Sequence, residues 1–520
     1  MSGARAVVIG SGFGGLAAAV RLRRRGYEVT ILEALDQPGG RARVFRRGGY
    51  SFDAGPTVIT APYLLAELFA LLGRSMEDYV RLVPVDPFYR ILFPGGETFD
   101  YVGDEERLLA QIHAFSPRDV DGYRRLAAHA ERIFDVGYTR LADQPFDRAA
   151  DMLRVVPEMI RLRSHRSVYG LVSEYIRDER LRQAFTFEPL LVGGNPFTTS
   201  SIYLLIHWLE RKWGVHFAMG GTAAIVEGLV RLLGEVGVEM RMGTAVEEIE
   251  VSGGRVTGVR TEGGERFAAD VVVSNADPSR VYTRMIPARY RRRHTDRAVA
   301  RTRQSMSLFV AYFGSRRQYP DLAHHTIVLG DRYRGLLDDI FRRRVLADDF
   351  SLYLHAAGRT DPSLAPPGED GFYVLSPVPN NRSGIDWQAQ ARPYFDRVME
   401  ELERRALPGV GPSPVEPILL TPDDFEHTLR SEDGAAFGPE PVLTQSAWFR
   451  YHNRSPDVRG LYFVGAGTHP GAGVPGVLSS AKVLERIVPD PPAHAPAPMP
   501  ARTAAAAPPA RAAAASAGGS

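Results

Sequence analysis

The sequence of 520 residues contains no cysteine. A chain without thiols cannot form a disulfide bond, a thiolate nucleophile, a cysteine-ligated zinc site or an iron–sulfur cluster. Those classes of site are therefore excluded, and the composition is compatible with a reducing cytoplasm.

Long apolar runs and a large net charge are missing as well. No run of about 18 apolar residues free of charge, glycine and proline occurs, and the first predicted strand begins at Ala6, which leaves no room for a secretory signal. We therefore expect a protein that does not span a membrane, although it can lie on one. The net charge of +2 argues against a nucleic-acid-binding surface over the whole protein, and the length predicts two or three domains.

The first forty residues carry a nucleotide-binding motif. An apolar strand over residues 6–9 runs into Gly-x-Gly-x-x-Gly, formed by Gly10, Gly12 and Gly15, and a helix follows. In such a turn Gly10 makes the sharp reversal, Gly12 lets backbone N–H groups approach a pyrophosphate, and Gly15 lets the helix pack closely. Glu33 ends the second strand about twenty residues later, where its carboxylate can accept hydrogen bonds from a ribose. The pattern predicts a site for NAD or FAD.

A second glycine turn favours FAD over NAD. Gly39 and Gly40 directly precede Arg41. An arginine in a glycine turn beside a pyrophosphate resembles the FAD-binding signature of the amine-oxidase-like flavoproteins.

Periodicity and turn residues predict the elements that follow. In the first half we expect a helix over 62–72, hairpin strands within 80–101, helices from 104 to 190, a break at 193–196, a helix over 202–210 and another from Thr222 to about 234. Strongly alternating segments over 238–242, 245–251 and 255–260 predict a small antiparallel meander, which leads into a buried strand over 270–275.

The second half predicts another sheet domain and a C-terminal unit. Strands are expected over 307–313, 351–356 and 371–376, with a long helix over 387–405. A buried strand over 460–465 then leads into a glycine-rich loop and a helix over 477–487. From Pro489 onward Met499 is the single large apolar residue among proline, alanine and serine, so this tail is predicted to be disordered.

Several stretches are more specific than the glycine motif: LVGGNPF at 191–197 with SIYLLIH at 201–207, QSAWFRYHNR at 445–454, and GLYFVGAGTHPGAGVPG at 460–476. Through these stretches and the glycine motif, the chain resembles the bacterial-type phytoene desaturases, the carotenoid desaturase family of FAD flavoproteins. The resemblance covers residues 5–487. The resemblance implies an α/β fold in which a Rossmann-like FAD-binding domain of the amine-oxidase-like type carries a second, sheet-based substrate domain and a helical insertion.

The resemblance also implies the domain boundaries. Residues 1–75, 220–290 and 440–488 are expected to form the FAD-binding domain, and residues 76–103 and 291–439 the substrate domain. Residues 104–219 are expected to be the helical insertion, a candidate for membrane contact, and residues 489–520 the disordered tail.

FAD is the cofactor that the resemblance implies, and no metal is expected. The residues carried over to the cofactor site are Gly10, Gly12, Phe13, Gly14, Gly15, Glu33, Gly40, Arg41, Val246, Gly465, Gly467, Gly473 and Val474. The first glycines match the pyrophosphate turn, Glu33 the ribose acid, Arg41 the phosphate-side arginine and Val246 a backbone contact to adenine. The residues from Gly465 to Val474 match a loop that closes over the ribityl chain and the isoalloxazine.

The implied activity is FAD-dependent desaturation of phytoene toward neurosporene or lycopene in carotenoid biosynthesis, in which a hydride and a proton leave adjacent carbons. Two alternatives share the fold: another carotenoid-modifying or amine-oxidase-like flavoenzyme, and a non-catalytic isoprenoid-binding protein. The intact glycine turn and Glu33 argue against the binding protein.

No residue pattern marks a catalytic base. The sequence has no repeated histidine or carboxylate constellation and no cluster with metal-ligand spacing. His469, in the glycine loop expected nearest the flavin, is a weak candidate. His207 fits packing on a helix beside Trp208, and Glu188 is either a buried or a solvated carboxylate.

The expected partners follow from the substrate. A hydrocarbon of about forty carbons would lose on the order of 30 kcal/mol on entering water, so it must pass directly from bilayer to protein. We expect peripheral contact with the inner face of the cell membrane, through the basic amphipathic segment 151–166 or the aromatic stretch 202–217. The expected electron acceptor is a quinone or oxygen, and no nucleic acid is expected as a partner.

Overall fold

A computed structural model of the chain describes residues 3–491. Its strands are β1 (Arg5–Ile9), β2 (Glu28–Leu32), β3 (Val44–Arg47), β4 (Tyr50–Asp53), β5 (Leu82–Pro84), β6 (Tyr89–Leu92), β7 (Thr98–Tyr101), β8 (His216–Ala218), β9 (Glu239–Arg241), β10 (Val246–Ser252), β11 (Arg255–Thr261), β12 (Arg266–Ala268), β13 (Val271–Ser274), β14 (Ser307–Ser315), β15 (His325–Val328), β16 (Leu352–His355), β17 (Asp370–Val378), β18 (Ile418–Leu420) and β19 (Leu461–Phe463). Its helices are α1 (Phe13–Arg24), α2 (Pro62–Leu71), α3 (Glu105–Phe115), α4 (Val120–Phe134), α5 (Ala149–Arg161), α6 (Val168–Val172), α7 (Glu179–Ala184), α8 (Leu205–Trp213), α9 (Thr222–Glu235), α10 (Pro278–Arg280), α11 (Asp296–Ala300), α12 (Tyr333–Asp338), α13 (Trp387–Arg405), α14 (Pro422–His427) and α15 (Val474–Ile487). The tail predicted over 489–520 lies, from residue 492 onward, outside the described residues.

A five-stranded parallel sheet, in the order β19-β13-β1-β2-β9, holds the N-terminal motif. Alternate side chains of β1 serve two cores: Ala6 and Val8 pack in the cluster that contains α1 and α15, whereas Val7 and Ile9 pack with the β10–β11 meander. A strand covered on both faces needs a continuous apolar run, which is what residues 6–9 supply.

The meander differs from the prediction. The segment expected to be its first strand is β9, which instead pairs with β2 in parallel, with Thr30 opposite Glu239. The antiparallel meander consists of β10, β11 and the unpredicted β12. Since β9 directly follows helix α9, it completes a strand–helix–strand crossover, and such a crossover returns a strand in parallel to the same sheet.

A seven-stranded mixed sheet, in the order β18-β14-β17-β16-β15-β6-β7, forms the second layer. It contains the strands predicted within 307–376, and it gains β6 and β7 from the predicted hairpin because β6 pairs in parallel with β15. Helix α13 covers one face over the predicted range. The Asp386 side chain caps that helix by accepting a hydrogen bond from the Ala389 N–H.

Helices α3, α4, α6 and α7 cover the other side of β6 and β7 and share their apolar core. The predicted helix over 202–210 begins as a 3₁₀ turn at Ser201–Leu204 and continues as α8. The α/β class expected from the sequence is confirmed. Among the helices of residues 3–491, none combines the length and the apolarity that crossing a bilayer requires.

Candidate active site

The turn between β1 and α1 is built by glycines that leave no room for side chains. Gly10 has φ +90°, in the left-handed region that favours glycine. A Cβ on Gly15 would overlap the Gly10 carbonyl oxygen, and a Cβ on Gly14 would lie 2.9 Å from the Gly465 nitrogen. The N-terminus of α1 and the C-terminal loop therefore meet backbone to backbone.

Glu33 is buried beside this turn, and its carboxylate stabilises the turn through hydrogen bonds. Oε2 accepts hydrogen bonds from the Ser11 N–H at 2.7 Å and the Ser11 hydroxyl at 2.8 Å, and Oε1 accepts one from the Leu35 N–H at 2.9 Å. A carboxylate has about four acceptor positions, so one position on Oε1 stays open toward the neighbouring cavity.

Arg41 is a half-buried cation with an unused donor. Its Nη2 donates to the Ser431 hydroxyl at 2.6 Å, whereas Nε has no partner within residues 3–491. Burial lowers the pKa of Arg41, and the nearby Asp277 carboxylate opposes that shift. A guanidinium with a free N–H beside glycine turns suits an anion such as a phosphate.

The C-terminal glycine loop is fixed by a buried arginine. Arg450 donates from Nη2 to the Ala466 carbonyl at 2.7 Å and from Nε to the Thr468 carbonyl at 3.2 Å. The Gly465 N–H donates to the Ser480 hydroxyl at 2.8 Å, which ties the loop to α15. Gly473 has φ +92° and caps the start of that helix.

A cavity of about 560 Å³ adjoins both glycine turns. Its walls are mostly apolar and come from the seven-stranded sheet, for example Val310 and Leu375, and from the helical region, for example Met159 and Leu205. The residues expected from the sequence that line it are Gly10, Gly12, Phe13, Gly14, Glu33, Gly40, Arg41, Val246, His469, Gly473 and Val474. Gly15, Gly465 and Gly467 do not line it; a Cβ at these positions would overlap the Gly10 carbonyl oxygen, the Asn275 side chain and the Pro278 ring, respectively.

His469 lines the cavity but is held by the backbone. Its Nε2 lies 3.3 Å from the Leu141 carbonyl, so Nε2 carries the hydrogen and donates it, and its ring packs edge-on against Phe146. Burial lowers the pKa of His469 to about 4, although the hydrogen bond to Leu141 opposes the shift. The imidazole is therefore neutral at pH 7, and its Nδ1 has no partner in the described part of the chain.

The flavin-containing amine oxidoreductases match residues 13–483 of this chain. The chain belongs to this family. A lycopene-forming phytoene desaturase of Pseudescherichia vulneris is 52% identical over 485 residues, which cover 93% of this chain and 99% of that protein. A neurosporene-forming phytoene desaturase of Rhodobacter capsulatus is 46% identical over 494 residues, covering 94% of each. A solved oxidoreductase of Methanosarcina mazei shares the fold at a TM-score of 0.63 and 18% identity, covering 93% of this chain and all of that one.

As a flavin-containing amine oxidoreductase, the chain is an oxidoreductase, and its site fits a flavin dinucleotide. A Cβ on Gly12 would meet the Asn275 side chain at 2.9 Å, so this position of the turn has room for glycine alone. The unpartnered Nε of Arg41 could donate to a pyrophosphate, and the Glu33 carboxylate could accept a hydrogen bond from a ribose hydroxyl.

Sequence reasoning missed a buried acidic cluster of this flavoprotein. Glu188 and Glu210 are both fully buried, and Glu210 lines the cavity while accepting a hydrogen bond from the Tyr89 hydroxyl at 2.6 Å. Burial raises the pKa of both carboxyls, and the charge of Glu188 adds to the shift at Glu210. His207 lies 3.3 Å from Glu188, and burial lowers the pKa of His207 to about 3, so the imidazole is neutral.

An apolar surface surrounds the helical end of the cavity. Helix α5 has no buried residue. Met152, Val155 and Met159 line the cavity, whereas Leu153 is 71% exposed and Ile160 is 64% exposed. The neighbouring segment 443–449 also lines the cavity and exposes Leu443 and Phe449. We call Leu153, Ile160, Leu443 and Phe449 the apolar rim.

The aromatic stretch 202–217, the other predicted docking segment, is largely buried. Val215 and Phe217 lie in the core, and Trp213 packs against the rings of Tyr63 and Phe134. Trp213 thus fills space between α2 and α4, Tyr203 lines the cavity, and Tyr203, Trp208 and Trp213 are each partly exposed.

Proposed function

We propose that this flavoprotein is an FAD-dependent phytoene desaturase, which removes a hydride and a proton from adjacent carbons to give neurosporene or lycopene in carotenoid biosynthesis. The observation that carries the proposal is 52% identity, over 99% of its length, to a lycopene-forming phytoene desaturase. The mostly apolar cavity beside the flavin-binding turns supports it, because a hydrocarbon offers no hydrogen bonds and is bound by buried apolar area.

The FAD-binding role of the residues expected from the sequence is part of this proposal. Gly10, Gly12, Phe13, Gly14 and Gly15 would hold the pyrophosphate at the N-terminus of α1. Glu33 would bind the ribose, Gly40 and Arg41 the phosphates, and Val246 the adenine. Gly465, Gly467, Gly473 and Val474 would enclose the ribityl chain and the ring system. When bound, FAD supplies the oxidising group that takes the hydride.

The residues of the chain would orient the substrate and exclude water from it. Val310 and Leu375 on the sheet and Leu205 on α8 supply an apolar wall that a bound hydrocarbon would contact. Fixing the reacting carbons in this way lowers the barrier through orientation. His469 is the one catalytic candidate of the glycine loop. Its imidazole is neutral and hydrogen-bonded to the backbone, which favours a positioning role.

The domain assignment keeps the boundaries expected from the sequence. Residues 1–75, 220–290 and 440–488 would bind FAD, residues 76–103 and 291–439 would form the substrate wall, and residues 104–219 would form the membrane-facing insertion. The sheet order supports this division, since the five-stranded sheet draws its strands from the first set and the seven-stranded sheet from the second.

We further propose that the apolar rim lies on the inner face of the cell membrane. A substrate that costs on the order of 30 kcal/mol to bring into water needs a direct path from lipid to cavity. The rim supports such a path, because Met152, Val155 and Met159 of the same helix line the cavity. Reoxidation of the flavin by a membrane quinone or by oxygen completes the proposed cycle.

Expression in a bacterium that accumulates phytoene tests the function. The expected result is coloured neurosporene or lycopene and a purified protein that is yellow with FAD. A yellow protein that leaves phytoene unchanged would favour another flavoenzyme, and a colourless protein that does not bind added FAD would favour an isoprenoid-binding protein.

A further inference from the structure

Each double bond formed in the proposed reaction releases a proton inside an apolar cavity. The hydrocarbon cannot hold that proton, and an isolated charge in apolar surroundings is strongly disfavoured. The inference below rests on the proposed function, because it identifies the groups that take this proton.

One wall of the cavity carries a chain of short hydrogen bonds. Thr57, Tyr353 and Tyr373 line the cavity. The Thr57 hydroxyl lies 2.8 Å from the Tyr353 hydroxyl and 3.1 Å from the Tyr373 hydroxyl. The Tyr353 hydroxyl lies 2.7 Å from Nδ1 of His325, a fully buried residue of β15. The polar groups at this wall thus lead from the cavity into the sheet.

A second hydrogen-bonded group lies behind His325 and contacts it by ring stacking. His355 is the cross-strand partner of His325, and their rings are stacked with centroids 5.5 Å apart. His355 Nε2 lies 3.0 Å from His324 Nε2, and His324 Nδ1 lies 2.6 Å from the hydroxyl of Thr360, which is partly exposed. The histidines therefore extend from the cavity wall nearly to the surface.

The three imidazoles are neutral. Burial lowers the pKa of His325 and His355 well below the usual range and that of His324 to about 3. A neutral imidazole has a lone pair that can accept a proton, and its desolvation favours release of that proton afterwards. His325 Nε2 has no partner among the described residues, which leaves that side of the ring unused.

A metal site is the competing explanation for three buried histidines. Their ligand nitrogens lie within 4.8 Å of one another. Zinc bonds of 2.0–2.1 Å in a tetrahedron would place those nitrogens about 3.4 Å apart, so the cluster would have to contract. Two of the nitrogens already form a hydrogen bond with each other at 3.0 Å, which favours proton transfer over metal binding.

We propose that Tyr353, backed by His325, is the proton acceptor of the desaturation. After a hydride has left one carbon of the substrate for the flavin, the C–H bond of the adjacent carbon breaks and its electron pair forms the new double bond. The released proton binds Tyr353 Oη as the original hydroxyl proton of Tyr353 moves to His325 Nδ1. His325 then carries the proton; its ring is stacked on His355, and no hydrogen bond joins the two rings among the described residues. Tyr353 is the catalytic residue, and His325 acts through it.

The test compares Tyr353→Phe and His325→Gln with Tyr394→Phe. Tyr394 is a matched control, because its buried hydroxyl binds Ser376 at 2.7 Å and it does not line the cavity. Phytoene-loaded liposomes are mixed anaerobically with each protein, and new double bonds, flavin bleaching, KM and the rate in D₂O are measured. Flavin content and melting temperature report folding.

The expected result is a fall of about 100-fold in the rate for Tyr353→Phe, typical of losing an acid–base group, with flavin content and KM unchanged. D₂O should slow the wild type but not Tyr353→Phe, because the exchangeable tyrosine proton is then absent. Loss of an acid–base group usually lowers a rate by far more than twofold. If the rate of Tyr353→Phe stays within about twofold of the rates of the wild type and the control, the relay is overturned, whereas the proposed function is not.

Two further outcomes are decisive. Stoichiometric zinc in the wild type that is absent from His325→Gln would overturn the relay and assign the cluster to a metal. A flavin-loaded wild type that converts no phytoene would overturn the proposed function and the relay with it. If His325→Gln does not fold, Thr57→Val is measured in its place. If both Thr57→Val and Tyr353→Phe show the same D₂O effect as the wild type, the relay is also overturned.

Discussion

Replacing Leu153 and Ile160 by serine should release the protein from membranes without disturbing its site. Both side chains are mostly exposed, and α5 buries none of its residues, so the substitutions remove little packing within the protein. Fully burying such a side chain contributes about 1.5–3 kcal/mol. Scaled by exposures of 71% and 64%, the pair would contribute roughly 2–4 kcal/mol on entering lipid.

Sedimentation with phosphatidylglycerol liposomes measures the effect. A loss of about 3 kcal/mol corresponds to a drop of about two orders of magnitude in partitioning. Val345→Ser is the matched control, because Val345 is 47% exposed and lies outside the apolar rim and the cavity lining. Flavin content and melting temperature should stay at the wild-type values. Unchanged liposome binding by the double variant, or equal loss in the Val345 control, would refute the role of the rim.

Three smaller predictions concern the site and its scaffold. Glu33→Arg should abolish flavin retention, seen as loss of visible absorbance, because it removes the ribose acceptor and the bonds that hold Ser11; a yellow variant would contradict this. Gly15→Ala should lower the melting temperature and the flavin content, since its Cβ overlaps the Gly10 carbonyl; wild-type values of both would be inconsistent with the turn geometry. Burial would raise the pKa of Asp457, but the hydrogen bonds from His294 and the Arg293 N–H, with the charge of His294, together outweigh it and lower that pKa from 3.8 to about 2. Its stabilising contribution is therefore present above about pH 4 and lost as the pH falls toward about 2, so Asp457→Asn should lower the melting temperature at pH 7 and flatten its fall across that window.

Elements with strong local signals could be predicted from the sequence. The long helix over 387–405 was predicted from the sequence, and its bounds agree with α13. The strand–turn–helix unit at the N-terminus was equally clear, because glycine spacing and the apolar run point to one local structure.

Features that depend on register or on neighbours could not be predicted. The three residues of β9 alternate as a meander strand would, and only the preceding helix α9 decides that it pairs with β2. Glu210 stands before Arg211 and Lys212, a typical solvent-exposed pattern, yet the fold buries it against the cavity.

Two further features could not be predicted because they depend on contacts between residues that are distant in the sequence. His325 and His355 are thirty positions apart, and they meet because β15 and β16 are neighbours in the sheet. The basic segment 151–166 was correctly recognised as amphipathic. However, Arg163 and Arg166 both form ion pairs with Glu174, and no local pattern indicates those pairs.

The most direct test of the account is the stoichiometry of a single anaerobic turnover. Purified yellow protein is mixed with phytoene in liposomes, without oxygen or quinone, and both the visible absorbance of the flavin and the conjugated products are measured. The account predicts one new double bond for each flavin that loses its colour, and no more until an acceptor is added. New double bonds that form while the flavin stays fully coloured, or in a protein stripped of FAD, would contradict it.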